Sequence, residues 1–284
     1  MTEGDTSYLR AFLKARSGLH LGPEKGYLLQ IRLAPILRDA GLASLAALAG
    51  TLRSGRDPDL AAQVVAAMTT NETSFFRDRA PFEALQRSIL PRLVEARAAS
   101  RRLRIWSAAA STGQEAYSVA MILAEMAPAL EGWTVDIVAT DISAEVVARA
   151  KAGRYSQFEV QRGLPIRLLL THFEQGPDGW VISPELRRAV DFRVQNLLDP
   201  LERLGQFDVV FCRNLLIYLD AETKRRVLAA VGGRLARGGF LCLGSTETVL
   251  GISHAWEQDA EAPSFFQPRS AIPQPYVASY AQTV

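Results

Sequence analysis

The apolar positions change their spacing near residue 100. Before about residue 70 they recur at helical intervals. Tyr8, Leu9, Phe12 and Leu13 form one stripe, which Gly18 stops, and Tyr27, Leu28 and Ile31 begin another. Asp57-Pro58 predicts a third helix, with Asp57 as N-cap, Pro58 at the first helical position and Leu60, Val64 and Met68 on its core face. Residues 82–97 read as a linking helix, with Pro91 as a possible kink inside it. From residue 103 the pattern becomes strands at 103–109, 135–140, 190–194, 207–212 and 240–244, with helices at 115–126, 144–152 and 221–235. This alternation predicts βαβ units and an α/β fold built on a mainly parallel sheet. Residues 154–189 break the rhythm. They hold Gly163, Pro165, Gly176, Pro177, Gly179 and Pro184 and are too long for a simple connection, so they predict an inserted subdomain. The expected organisation is a helical domain over 1–75, a link over 76–102, an α/β domain over 103–268 carrying the insertion, and a loose tail over 269–284.

Composition narrows the class. Of 284 residues, 48% are hydrophobic and 22% charged, with 20 Gly and 14 Pro, which excludes collagen-like, disordered and coiled-coil chains. Cys212 and Cys242 sit in apolar runs and read as buried thiols of a reducing compartment. No apolar stretch approaches the roughly 20 residues that span a bilayer. The first residues lack a basic start followed by an apolar core. A cytoplasmic protein that is not embedded in a membrane is expected. Charge changes the picture more. The net charge is only +2, yet eight basic residues face two acidic ones between Thr6 and Arg56. A basic first segment on a nearly neutral chain predicts an acidic partner, beside the plainer reading of a solvated helical surface.

An open α/β sheet binds ligands beyond the carboxyl ends of its strands, at the switch point of strand order. The first strand here runs into Ala108-Ala109-Ala110-Ser111-Thr112-Gly113-Gln114-Glu115 before a helix. Small residues there admit a ligand close to the backbone, and the helix amino terminus offers free N–H groups. Neither GxGxxG nor GxxxxGK[ST] is present, which lowers the dinucleotide and nucleoside-triphosphate readings. The second strand ends at Asp141, where a carboxylate suits ribose hydroxyls; capping the helix that starts near Ser143 is the alternative.

Several segments, in order, resemble the chemotaxis receptor methyltransferases (CheR). They are Thr70-Asn71-Glu72-Thr73-Ser74-Phe75-Phe76-Arg77-Asp78, the run from Ile105 to Ser118, Thr140-Asp141-Ile142, Gln195-Asn196-Leu197-Leu198, Phe211-Cys212-Arg213-Asn214 with Ile217-Tyr218, and Gly244-Ser245-Thr246-Glu247. One departure is Gln114-Glu115-Ala116-Tyr117-Ser118, where many members have Glu-Glu-Pro-Tyr-Ser; the second Glu is kept.

The resemblance implies a Rossmann-like S-adenosylmethionine-dependent methyltransferase domain preceded by a small all-helical domain, with a small β-subdomain inserted. It further implies methylation of glutamate side chains on chemoreceptors and release of S-adenosylhomocysteine. Carried over by motif, Asn71, Thr73, Arg77, Glu115, Asp141, Asn196, Leu197, Arg213 and Asn214 are expected at the cofactor. Within that set Asp141 suits the ribose and Asn196-Leu197 the adenine edge. Glu115 suits the ammonium, and either Arg77 or Arg213 the carboxylate. Tyr218 matches a family tyrosine near the reacting methyl; a packing role is the alternative.

His20, His172 and His254 show no ligand spacing, so no metal is expected. Nucleic acid is not expected either. The basic first domain, through Arg32, Arg38, Arg53 and Arg56, is expected to dock on the acidic helical region of a receptor. Some members also hold a receptor's carboxyl-terminal peptide on a longer glycine-rich turn of the insertion. The turn here, Gln175-Gly176-Pro177-Asp178-Gly179, is short, so no tether is expected. Methylation of another acceptor, or a binding module without catalysis, are the competing functions.

Overall fold

The computed structural model describes residues 3–269; the tail expected from 269 lies, beyond Arg269 itself, outside the described residues. Four helices build the first domain: α1 (Glu3–Ser17), α2 (Tyr27–Asp39), α3 (Leu45–Ser54) and α4 (Pro58–Met68). Gly18 ends α1 at φ +76°, and the Asp57 side chain accepts the Leu60 N–H at 2.8 Å with Pro58 following, as the sequence predicts. Helix α3 is an addition to the expected three. Its signals were Ser44, which accepts the Ala47 N–H at 3.2 Å, and Gly55 in the left-handed region at φ +65°. Leu9, Leu13, Leu29, Leu33, Leu48 and Val64 close this core.

The expected linking helix is three pieces: α5 (Ala80–Ala84), a π-turn over Leu85–Ile89, and α6 (Leu90–Ala96). The wide turn sits just before Pro91, whose missing N–H deprives the Arg87 carbonyl of its i+4 partner.

The second domain is a seven-stranded sheet. Its strands are β1 (Arg102–Ala108), β2 (Thr134–Asp141), β6 (Val190–Val194), β7 (Phe207–Phe211), β8 (Leu235–Cys242), β9 (Trp256–Gln258) and β10 (Phe265–Pro268), in the order β6-β2-β1-β7-β8-β10-β9. The first five are parallel; β10 and β9 add an antiparallel edge that the sequence pattern did not reveal. Helices α7 (Gln114–Glu125), α8 (Ala144–Ala152) and α12 (Ala221–Gly232) follow β1, β2 and β7. Cys212, just past β7, and Cys242, at the end of β8, are buried free thiols. Among the described residues no helix is long and apolar enough to cross a membrane.

The insertion contains β3 (Arg154–Tyr155), α9 (Gln157–Gln161), α10 (Ile166–His172), β4 (Phe173–Gly176), β5 (Gly179–Ile182) and α11 (Pro184–Ala189), with its own antiparallel sheet in the order β3-β5-β4. It does more than decorate an edge. Phe75 packs edge-on between Tyr155 and Phe173, with ring centroids 5.0 and 5.6 Å away. The Tyr155 hydroxyl donates to the Thr112 carbonyl at 2.8 Å, in the loop after β1. Phe75, which the expected organisation gave to the helical domain, is fully buried in the sheet domain's core, while Thr70 still accepts from Arg32 of α2 at 3.1 Å. Gly163 lies at φ +87°, and a Cβ there would stand 2.1 Å from the Phe75 carbonyl oxygen. Backbone strain and a backbone clash together make Gly163→Ala destabilising by about 2 kcal/mol. Urea unfolding is the measurement, and a midpoint equal to the parent's would contradict this packing.

Candidate active site

Consecutive strands run from β1 outward through β2 to β6, then restart on the other side at β7, so the switch point lies between β1 and β7. Both strands end there in backbone that L-residues rarely adopt: Ala109 (φ +63°) and Ser111 (φ +51°) after β1, and Asn214 (φ +57°) after β7. The neighbouring loop over 70–79 has three more such residues, Phe76, Asp78 and Arg79. Strain gathered in this way persists only where surrounding contacts over-determine it. Gly113, the residue before α7, completes the turn; a Cβ there would stand 2.9 Å from the Ala150 Cβ.

Asp141 ends β2 and is buried. Its Oδ2 accepts the Ser111 N–H at 2.9 Å and its Oδ1 the Ser143 N–H at 3.0 Å, which ties two strand ends together. Burial raises its pKa, opposed by the backbone N–H groups of Ser143, Ser111 and Ile142. The capping alternative is corrected: Ser143, not Asp141, is the N-cap of α8.

Glu115 opens α7 beneath the same turn. Its Oε1 accepts from the Ser107 hydroxyl at 2.7 Å and its Oε2 from Arg213 Nη1 at 2.9 Å. Arg213 Nη2 donates to Asp78 Oδ2 at 2.8 Å and to the Arg77 carbonyl at 2.9 Å, and the guanidinium lies over the Phe82 ring. The Arg213 side chain is 1% exposed. Of the two arginines expected at a ligand carboxylate, Arg213 is therefore a buried cation between Glu115 and Asp78. Arg77 is the half-buried one at the cleft, its Nη1 donating to the Glu72 carbonyl at 2.6 Å.

The Asn71 carbonyl accepts from the Ser111 hydroxyl at 2.9 Å, and the Phe76 N–H donates to Ser118 Oγ at 2.9 Å, which stitches the 70–79 loop to β1's loop and α7. Asn196 ties the two domains together. Its Nδ2 donates to the Arg16 carbonyl of α1 at 2.7 Å and its Oδ1 accepts the Leu198 N–H at 3.0 Å, so the carboxamide clamps the first domain from the wall of the cleft. A short 3₁₀ turn, Leu216–Tyr218, follows Asn214; the Tyr218 carbonyl accepts the His20 N–H at 2.9 Å, and Leu19 bridges to Leu219.

All ten residues singled out from the sequence line one cleft: Asn71, Thr73, Arg77, Glu115, Asp141, Asn196, Leu197, Arg213, Asn214 and Tyr218. The cleft has an empty volume of about 1080 Å³, counting solvent at its mouth. Sequence reasoning missed Ser17 and Leu19, which bring the helical domain over the cleft as a roof, and Ile142 and Gln195 on its wall. Ile142 follows a motif aspartate and was within reach of the pattern. Ser17 and Leu19 carried no signal, because only docking of the domains brings them there.

The family model described as "CheR methyltransferase, SAM binding domain" matches residues 71–266, and "CheR methyltransferase, all-alpha domain" matches residues 5–69. The chain belongs to the CheR methyltransferase family. The chain is 44% identical over 249 residues to "Chemotaxis protein methyltransferase 1" of Pseudomonas aeruginosa, covering 86% of this chain and 90% of that protein. It is 40% identical over 252 residues to "Chemotaxis protein methyltransferase Cher2" of Pseudomonas putida (87% and 91% covered). It is 41% identical over 249 residues to "Chemotaxis protein methyltransferase" of Vibrio parahaemolyticus (87% and 90% covered).

This CheR protein is thus an S-adenosylmethionine-dependent methyltransferase with an all-helical domain ahead of its cofactor-binding one. The chemistry of its donor set fits that cofactor. Asp141 and Glu115 are carboxylates with lone pairs left after their protein partners, Arg77 is a cation at the opening, and Ile142, Leu197 and Leu215 supply an apolar slot.

Proposed function

We propose that this chain transfers a methyl group from S-adenosylmethionine to glutamate side-chain carboxylates of chemoreceptors, forming glutamyl methyl esters. The observation that carries the reading is the convergence of five motif segments, distant in the chain, on one cleft roofed by the helical domain. In it Asp141 accepts from ribose hydroxyls, held in place by the Ser111 and Ser143 N–H groups. Glu115 receives the ammonium and Arg77 the carboxylate of the amino-acid end. The adenine edge meets the backbone of Asn196-Leu197, since the Asn196 carboxamide is engaged elsewhere.

The cofactor supplies, when bound, a methyl already activated on sulfur. The chain's own work is alignment and exclusion of water. A glutamate carboxylate has an ordinary pKa near 4.3, so the acceptor is ionised at pH 7 and needs no general base. Tyr218, at the tip of the loop after β7, orients that carboxylate, and Ser17 and Leu19 close the space above it. Radiolabelled methyl transferred to receptor-containing membranes and released by mild base is the expected result. Label that resists base, or no label on receptors, overturns the proposal.

The receptor is recognised by the basic helical domain. Two of the four expected arginines are otherwise engaged. Arg32 donates to the Met68 and Thr69 carbonyls at 2.8 and 3.0 Å, capping the end of α4, and Arg53 pairs with Asp5 at 3.6 Å and lies over the Tyr8 ring. Arg38 and Arg56 are exposed, with no ion pair among the described residues. Reversing both to Glu is expected to raise the KM for receptor about tenfold while leaving kcat within twofold. In the parent, KM rises with salt as the Debye length shrinks from about 10 Å at 0.1 M to 3 Å at 1 M. An unmoved KM removes these residues from the docking face.

No carboxyl-terminal tether is proposed. The hairpin of β4 and β5 pairs Gly176 with Gly179, so only Pro177 and Asp178 form its turn. A tether raises effective concentration without touching the reaction centre, so its absence changes receptor choice and spares catalysis. Peptides matching the organism's receptor termini are expected to show no micromolar binding by titration; binding abolished by altering this turn would contradict that.

A further inference from the structure

One motif of the chain has no place in the site so far. Gly244-Ser245-Thr246-Glu247 follows β8, and Glu247 does not line the cleft. Its carboxylate instead gathers three backbone donors. Oε2 accepts the Asn214 N–H at 2.6 Å and the Gly244 N–H at 2.9 Å, and Oε1 accepts the Leu216 N–H at 2.6 Å. Two of the three belong to the loop after β7, which has left the sheet and has no ladder to satisfy its donors. That loop presents Asn214, Leu215 and Tyr218 to the cleft, with Asn214 in the left-handed region. Gly244 fits the same purpose. A Cβ there would stand 2.7 Å from Glu247 Oε2 and 3.0 Å from the Asn214 nitrogen, so a side chain at 244 would expel the carboxylate.

We propose that Glu247 is a positioning residue of the methyl-transfer site: its Oε2 fixes the strained Asn214 and its Oε1 fixes the turn that carries Tyr218. Hydrogen bonds from neutral N–H groups to a carboxylate are roughly twice as strong as neutral ones, which suits a template for strained backbone. The inference rests on the reading of Asn214 as a cofactor residue and of Tyr218 as the one facing the acceptor. Its two oxygens therefore serve two different parts of the site, and a substitution that keeps one of them separates the two.

Glu247→Gln has a single acceptor oxygen. Facing Asn214 and Gly244, it keeps two bonds and turns its NH₂ group toward the Leu216 N–H, donor against donor. The expected result is a split. S-adenosylhomocysteine affinity by calorimetry stays within threefold of the parent, whereas kcat for receptor methylation falls at least tenfold. Amide exchange quickens at Leu216 but not at Asn214 or Gly244. In Glu247→Ala all three amides exchange faster and affinity falls about tenfold as well. Parental values of affinity, kcat and exchange in both variants overturn the proposal. So does a Glu247→Gln protein that loosens all three amides alike and loses affinity and kcat in equal proportion, since that marks a general prop. If Glu247→Ala fails to fold, the Gln variant still decides. If the parent itself transfers no methyl to receptors, the acceptor reading fails on its own, while product affinity and amide exchange still judge Glu247.

Discussion

Asp141→Ala is expected to weaken S-adenosylhomocysteine binding about a hundredfold, or about 2.7 kcal/mol. Two losses contribute. The ribose gives up a hydrogen bond to a charged group, worth about 1.5–3 kcal/mol, and the buried Ser111 N–H loses its acceptor at 2.9 Å. The second loss acts on the ligand too, because Ser111 sits at φ +51° in the turn the cofactor must approach. Asp141→Asn keeps the shape and one acceptor oxygen and is expected to lose about tenfold, consistent with a neutral bond replacing a charge-assisted one. Burial holds the Asp141 carboxyl above its ordinary value. Protonation turns an acceptor into a donor, so affinity is expected to fall on acidification at a higher pH than an exposed carboxylate would set. Calorimetric titration checks both points. Unchanged affinity in a folded Asp141→Ala protein removes this residue from the site.

Arg213→Met is expected to destabilise the fold by about 3 kcal/mol, at the lower end of what breaking a buried pair removes. The guanidinium is 1% exposed and joins Glu115 at 2.9 Å to Asp78 at 2.8 Å. Without it Glu115, itself buried, keeps only the Ser107 hydroxyl and the unmet desolvation of its charge. Asp78 is partly solvated and loses less. Arg213→Lys does not restore the loss, because one ammonium cannot replace a planar fork that reaches Glu115 with one nitrogen and Asp78 with the other. Adding Glu115→Gln to Arg213→Met removes the orphaned charge and recovers part of the stability. Urea unfolding with an unchanged m-value reads the effect. A loss under about 1 kcal/mol would mean that Arg213 acts like an ordinary surface arginine, which its burial contradicts.

Much of this molecule is decided within a few residues of chain. The change from helical to alternating strand-and-helix spacing near residue 100 marks where the parallel sheet begins, with β1 starting at Arg102. Asp57-Pro58 starts α4, Gly18 stops α1, and α8 spans the 144–152 expected of it, because caps, left-handed glycines and apolar periodicity act over one or two turns. The ten candidate site residues were legible because each sits in a short motif that resembles the family's, most of them beside a strand end or helix start. Strands β9 and β10, three and four residues long, were not, since their period is too short to stand out and their place comes from pairing with β8.

What tertiary structure alone decided is which groups meet. Glu115 and Arg213 are 98 positions apart and Arg32 is 36 from the carbonyl it caps; both partners become neighbours only when the parallel sheet sets β7 beside β1 and the helices pack. For the same reason, nothing beside Arg32 or Asn196 in the sequence announced that the one would hold the end of α4 and the other the end of α1. A residue's type and its immediate neighbours determine what chemistry it can perform. Whether a charge faces ligand, solvent or an opposite charge is determined by chain segments that close over it from far away, and sequence spacing carries no record of that closure.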